Sequence, residues 1–494
     1  MSRKLPIFYN ALLLTCVNLL LRFVSTSFQV HISARIGPEG VGLLQLVMSV
    51  GGLALTAGMA GVRTATMYLT AEELGRKCPQ NISRMLRGSF IYSILFSGTV
   101  AILLHSFAPV IAQYWIGNIH TVGSIRTFGF FLPLTCLCGC MTGYFTAANR
   151  ISTLAVVEIF EQLCYMVVTM LALQLWAGRN PELACQSVIM GSGISACFTL
   201  MCLVFLRLRE KPETGPRIPI TSRLLRTAIP LALADDLKAG ISTTENLMVP
   251  KRLALYPGEL TPLAAFGTVC GMVFPIVMFP AAILFALAEL LIPDFARCNA
   301  AGSTIRIRYL TKKSLKLAML YGCACGGIIH LAAEPLSTSL YGSTVAGAYL
   351  KLYSLLIPML YCDAIVDAMV KGLGQQTASV RYNILTSALD VALLFVLLPK
   401  YGMQGYFFSF LITHLINFML SLRRLVKTAK VRIPFHIPAL AISGWLAAIC
   451  GASRVSQSPG RVVAFCGLYG SLLVLFGIVS RKDVIWLKGL IGKK

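Results

Sequence analysis

The run FYNALLLTCVNLLLRFVSTSFQVHISAR, residues 8–35, decides the fold class. From Phe8 to Val30 it is apolar except for a few hydroxyls and amides and one arginine, Arg22. At about 1.5 Å per residue, such a stretch crosses the roughly 30 Å hydrocarbon layer of a bilayer. Arg3 and Lys4 precede it, as in a signal peptide, but no small-residue cleavage site follows Leu21. The segment therefore reads as a first, uncleaved span with a cation near its centre.

The same pattern recurs along the chain. Of 494 residues, 56% are hydrophobic and 13% charged, and the mean hydropathy is +0.76. A soluble domain of this size carries about a quarter charged residues, so a soluble fold is excluded. Hydropathy predicts fourteen spans, among them 8–30, 42–64, 227–249, 380–398 and 403–424. The expected architecture is an all-α polytopic membrane protein. The net charge of +24 would suggest nucleic acid in a soluble protein. Here the Lys and Arg residues fall mostly after even-numbered spans, as in Arg84 and Arg87, Arg223 and Arg226, Arg306 and Arg308, and Arg423 and Arg424. This is the positive-inside pattern; it places both termini in the cytoplasm and makes the basic loops topology signals. The sixteen cysteines lie mostly in apolar runs. Cys136, Cys138 and Cys140 do not share one helical face and have no histidine beside them, so they read as small core residues.

The polar segment RLREKPETGPRIPITS, 207–222, is a cytoplasmic linker. It divides the chain into an N-terminal lobe over 1–206 and a C-terminal lobe over 223–425. Residues 426–494 add two helices and a tail. Arg126 precedes Pro133, and Lys351 precedes Pro358, by the same interval; Ala147 and Gly372 follow those prolines by the same interval. Arg22 with Arg35 resembles Lys238 with Arg252 in spacing. The expectation is two six-helix lobes related by an axis along the membrane normal.

Charges inside spans carry the functional information, because a cation at the bilayer centre costs roughly 2.5–3.5 kcal/mol on insertion scales. Arg22 and Lys238 lie near the centres of spans one and seven and point to a cationic cavity for a phosphate or pyrophosphate. Arg35 and Arg252, at outer helix ends, are further substrate-binding candidates. Each cation also has a plainer reading: Lys238 can pair with Asp235, and Arg22 with Glu158 or Glu161. Asp235, Asp236, Asn383 and Asp390 are candidates for holding Na⁺ or a proton as coupling ion. Asp363 and Asp367 are weaker ones, since Lys371 can pair with Asp367. Glu158 and Glu161 are candidates for joining the lobes. Within-span prolines, such as Pro133 and Pro280, allow bends.

The stretch Ser33-Ala34-Arg35-Ile36-Gly37-Pro38-Glu39-Gly40-Val41-Gly42, with Gln45, resembles the first turn of the stage V sporulation protein B family. Gly143-Tyr144-Phe145, Glu161-Gln162 and Gly372-Leu373-Gly374 resemble further motifs of that family, although Thr146-Ala147 and Lys371 depart from it. The family belongs to the multidrug/oligosaccharidyl-lipid/polysaccharide (MOP) exporter superfamily. The resemblance implies a V-shaped pair of lobes, alternating access and a bacterial cytoplasmic membrane. It implies an undecaprenyl-pyrophosphate-linked glycan as cargo, as in peptidoglycan synthesis for the spore cortex, with cell-wall synthesis proteins as partners. Lipid II flippases use a span-one arginine, and Arg22 occupies a comparable place; the resemblance also implies sodium between spans seven and eleven, at Asp235, Asn383 or Asp390.

The first expectation is thus a lipid-linked oligosaccharide flippase. The alternative is a MATE-like cation-coupled drug antiporter, against which the central cations argue. No nucleotide-binding loop, HExxH or GxSxG occurs, and the expectation is a transporter that is not an enzyme and has no cofactor beyond a coupling ion.

Overall fold

Backbone groups in hydrocarbon must be satisfied within their own segment, so apolar runs of this length become helices. In a computed structural model every regular element among the described residues is helical. The structure describes residues 5–75, 81–148, 150–177, 180–209, 221–258, 261–431, 436–455 and 458–478. Most of the linker, the basic tail, and Arg3, Lys4, Arg76, Lys77 and Arg432 lie outside the described residues.

Two units pack separately, Met1–Gly267 and Thr268–Lys494. The first begins with α1, Leu5–Met59, which holds two predicted spans joined at Gly37. There φ is 80° and ψ 170°, a region essentially confined to glycine, and Pro38 follows without an N–H to continue the ladder. After α1 come α2 (Val62–Gly75), α3 (Ile82–Val110), α4 (Val122–Ala147), α5 (Ile151–Ala172), α6 (Pro181–Leu208), α7 (Thr221–Leu253) and α8 (Pro262–Gly267). α4 is the centre of this unit, packed by α2, α3 and α6. That explains its three cysteines: facing different neighbours, Cys136, Cys138 and Cys140 are all buried. Packing divides the chain after α8, so α7 and α8, placed by sequence in the second lobe, lie against α1.

The second unit contains α9 (Phe274–Met278), α10 (Ala281–Ala300), α11 (Thr304–Tyr341), α12 (Thr344–Tyr353), α13 (Ile357–Gly372), α14 (Gln376–Ala429), α15 (His436–Ala452) and α16 (Ser458–Leu475). α13 is its core, surrounded by α10, α11 and α14. α14 repeats the α1 device, two spans joined at Gly402 with φ 57° and ψ −140°. α15 and α16 lie on α11.

Eight helical runs among the described residues are long and apolar enough to cross a membrane. Two of them, Leu19–Leu74 and Gln376–Ala429, each hold two predicted spans. A ninth is the bent pair Pro262–Met278 and Ala281–Ala300. α7 is long enough but carries too many charges, and α15 and α16 are shorter apolar helices. Among the described residues each of the fourteen predicted segments thus falls mostly on helix.

Candidate functional site

The second predicted span, 42–64, does not run unbroken. Its helix stops at Met59 and restarts at Val62. Between them Ala60 has φ 41° and Gly61 φ 69°. Left-handed backbone at an alanine costs about 1–2 kcal/mol. Tyr92 from α3 compensates by donating its hydroxyl to the Ala60 carbonyl at 3.0 Å. Gly143 of α4 permits a close approach here, because a Cβ at that position would lie 2.6 Å from the Arg63 carbonyl oxygen.

The break opens a cavity of about 460 Å³ between this part of the chain and α7. Thr56, Gly61, Arg63 and Thr64 line one wall; Asp235, Lys238 and Ser242 line the other. Arg63 and Lys238 bring two cations to one space. Lys238 and Asp235, three residues apart, form no ion pair, and Lys238 has no ion-pair partner among the described residues. Broken helices at membrane depth occur where the backbone lines a cavity, and such sites in transporters hold ions or charged substrates.

α7 is tied to the rest of its unit on both sides of this cavity. Near its N-terminus Arg223 pairs with Glu72 at 2.6 Å and with Glu73 at 2.8 Å. Asn81 also donates to Glu73 at 2.8 Å. Towards its C-terminus Thr243 donates to the Ser49 carbonyl at 3.0 Å and Asn246 to the Ser49 hydroxyl at 2.9 Å. Lys251 donates to the Tyr114 carbonyl.

The other sequence candidates distribute as follows. Arg22 is exposed, has its own interaction, and is not among the residues lining the Lys238 cavity. Its neighbour Leu21 lines a separate cavity of about 370 Å³ with Glu158, Glu161, Gln162 and Ser195. Glu158 and Glu161 therefore face a space inside the first unit. Glu158 is also within electrostatic reach of Arg63. Arg35 is exposed beside the Gly37 break and Arg252 is half-buried with a partner; neither lines the Lys238 cavity. Asp236 is half-buried on the side of Tyr92, and its Oδ1 is buried without a hydrogen-bond partner.

Asn383 and Asp390 belong to the second unit, whereas Asp235 and Asp236 belong to the first. Asp390 is buried, and its Oδ1 accepts from Ser409 at 2.6 Å and Thr413 at 3.1 Å. Asn383 lines another cavity with Asp363 and Asn417. Among the described residues no three His, Cys, Asp or Glu side chains gather as a metal-binding group.

Sequence reasoning did not single out Arg63, nor the Arg223–Glu72–Glu73 cluster. A lone arginine near the end of an apolar window, next to Gly58 and Gly61, is the signal that marks the first. Nothing local marks the second, since Glu73 and Arg223 meet only through the fold.

Comparison with known proteins gives the fold its class. A profile for the MatE family matches residues 12–172. The fold is similar to that of the lipid II flippase MurJ in an inward closed conformation. That likeness has TM-score 0.73 and 11% identity, and covers 96% of this chain and 100% of that one. It is also similar to an inward-facing multidrug resistance MATE family transporter of the MOP superfamily, with TM-score 0.65 and 13% identity over 85% of this chain and 99% of that one. The chain thus has the polytopic helical fold of these transporters. Along its length it is similar to stage V sporulation protein B of Bacillus subtilis (strain 168), with 21% identity covering 96% of each chain. This is the family that residues 33–45 and 143–162 resemble.

Proposed function

We propose that this protein is a flippase for a lipid-linked oligosaccharide, moving an undecaprenyl-pyrophosphate-linked precursor across the bacterial cytoplasmic membrane by alternating access. The observation that carries the reading is the pair of cations, Arg63 and Lys238, facing one cavity at a helix break, with Lys238 unpaired among the described residues. Lys238 shares its wall of the cavity with Asp235 but forms no ion pair with it; a cation held in a membrane span without such a pair is costly, and an anionic ligand offsets the cost. Arginine offers a planar fork to phosphate oxygens and lysine a point charge. Thr56, Thr64 and Ser242 add hydroxyl donors to the remaining oxygens.

A cavity of about 460 Å³ is of the size that holds a drug-sized group. It takes the pyrophosphate and adjoining sugar, while the polyprenyl tail stays in lipid. Passage of the headgroup then requires release of α7 at one end and then the other. The likeness to a sporulation protein supports a precursor of spore-cortex peptidoglycan as cargo, and the basic loops support cytoplasmic termini. A cation gradient supplies the work, with Asp236 the first-unit carboxylate best placed to take a proton or Na⁺, because one of its buried oxygens lacks a partner.

The test is translocation of a fluorescent undecaprenyl-pyrophosphate saccharide in proteoliposomes. Lys238→Ala and Arg63→Ala are expected each to reduce transport at least about tenfold, the equivalent of about 1.4 kcal/mol, while the proteins remain monodisperse. Full transport by both variants, or gradient-driven efflux of a cationic dye with no precursor movement, would overturn the proposal.

A further inference from the structure

α11 is longer than a membrane crossing requires. Its 38 residues extend about 57 Å, against a hydrocarbon layer of roughly 30 Å. The apolar part begins at Leu317. The segment before it, TIRIRYLTKKSLK at 304–316, holds five lysines and arginines and no carboxylate. It stands on the side that the loop charges read as cytoplasmic. Only residues 301–303 separate it from α10, so its charges are fixed on a helix rather than spread through a loop.

The helix sorts these residues by face. Ile307, Thr311, Ser314 and Ala318 follow one another at intervals of four, three and four, and all are buried. The opposite face carries Ile305, Arg308, Tyr309 and Lys312, all exposed. Further along that face Gly327 meets α16, where a Cβ would come within 2.0 Å of the Phe465 ring. α15 and α16 pack on α11 and on each other, whereas α13 is the core of the unit. The exposed face therefore looks away from the core, towards surrounding lipid.

A topology signal needs positive charge and nothing more. It gives no reason for Ile305, 81% exposed, and Tyr309, 48% exposed, to stand between the charges. The headgroup layer satisfies both kinds of side chain: phosphates take the cations, and a tyrosine sits there with its ring in apolar surroundings and its hydroxyl in water. Arg306, Arg308 and Lys312 have no ion-pair partner among the described residues, whereas Lys313 and Lys316 already interact within the chain. Asp294, near the end of α10, pairs with Arg297 at 3.7 Å.

We propose that this face of α11 binds acidic phospholipid headgroups of the cytoplasmic leaflet, with Arg308 and Lys312 on phosphate, Arg306 beside them and Tyr309 between them. Clusters of four or more Lys and Arg directly cytoplasmic of a spanning helix attract anionic lipid. Here the exposed face gives that attraction a fixed place. The site does not depend on what the protein carries.

The test is native mass spectrometry of the purified full chain, titrated with dioleoylphosphatidylglycerol or with dioleoylphosphatidylcholine. The wild type is expected to bind the acidic lipid at least about fivefold more tightly. The triple variant Arg306→Gln, Arg308→Gln, Lys312→Gln is expected to lose most of that preference. A second triple variant, Arg423→Gln, Lys427→Gln, Lys430→Gln, removes the same charge from the end of α14 and is expected to keep it. All six side chains are exposed, so both variants are expected to fold. No preference in the wild type, full preference in the α11 variant, or equal loss in both variants would overturn the site. A wild type without lipid preference that binds a polyglutamate peptide would also overturn it and assign the face to an acidic protein.

Discussion

Ala60 and Gly61 place consecutive residues in the left-handed region at the point where Arg63 turns into the cavity. The strain at Ala60 belongs to its Cβ, so Ala60→Gly is expected to raise thermal stability, by up to about 1 kcal/mol, because glycine's larger unfolded-state entropy offsets part of the gain. Gly37→Ala is expected to lower it by about 1–3 kcal/mol. No atom lies within 4 Å of the added methyl at Gly37, so that loss reports backbone strain alone. Thermal unfolding in detergent separates the two signs. At this scale Lys238 was legible, because its charge interrupts span seven together with Asp235 and Asp236. Arg63 was not, because one arginine barely alters the hydropathy of a long apolar window. The pairing of Lys238 with Asp235 was equally allowed by spacing, and only side-chain directions resolve it.

At the scale of the element, α7 is anchored near each end with the cavity between. Glu73 is buried and accepts from both Arg223 and Asn81; Glu72 is part-exposed. Glu73→Gln is therefore expected to destabilise by about 1–3 kcal/mol, the cost of breaking a charged hydrogen-bond pair. Glu72→Gln is expected to cost under about 1 kcal/mol, as for exposed pairs. Hydrogen exchange over residues 221–235 reads the local effect: Glu73→Gln should accelerate it while leaving 243–253 near the wild-type rate. Uniform acceleration along α7 would show that the helix opens as one body instead. The presence of α7 was legible from its hydropathy, which marks a span over 227–249. Its partners were not, because contacts between residues about 150 positions apart follow from packing. The same limit explains why the unit boundary falls after Gly267 while the sequence marks its linker at 207–222: polarity locates a flexible connection, and burial decides which helices pack together.

For the molecule as a whole, the loop charges and helix breaks make a prediction about sidedness. Alkaline phosphatase fused after Asn180 should be active, and fused after Gly302 inactive, because the loops following spans five and eight fall on opposite sides. The reverse result would invert the topology. The number of spans was legible because each needs its own apolar stretch, even where Gly37 and Gly402 fuse two into one continuous run. What the chain carries depends on whether Arg63 and Lys238 recognise charge. The measurement is the affinity of the purified protein for undecaprenyl pyrophosphate against neutral undecaprenol, in the wild type and in the Arg63→Gln, Lys238→Gln double variant. A cationic cavity built for a lipid-linked anion predicts a wild-type preference for the pyrophosphate that falls about a hundredfold in the double variant, close to 2.7 kcal/mol. An unchanged preference would contradict it.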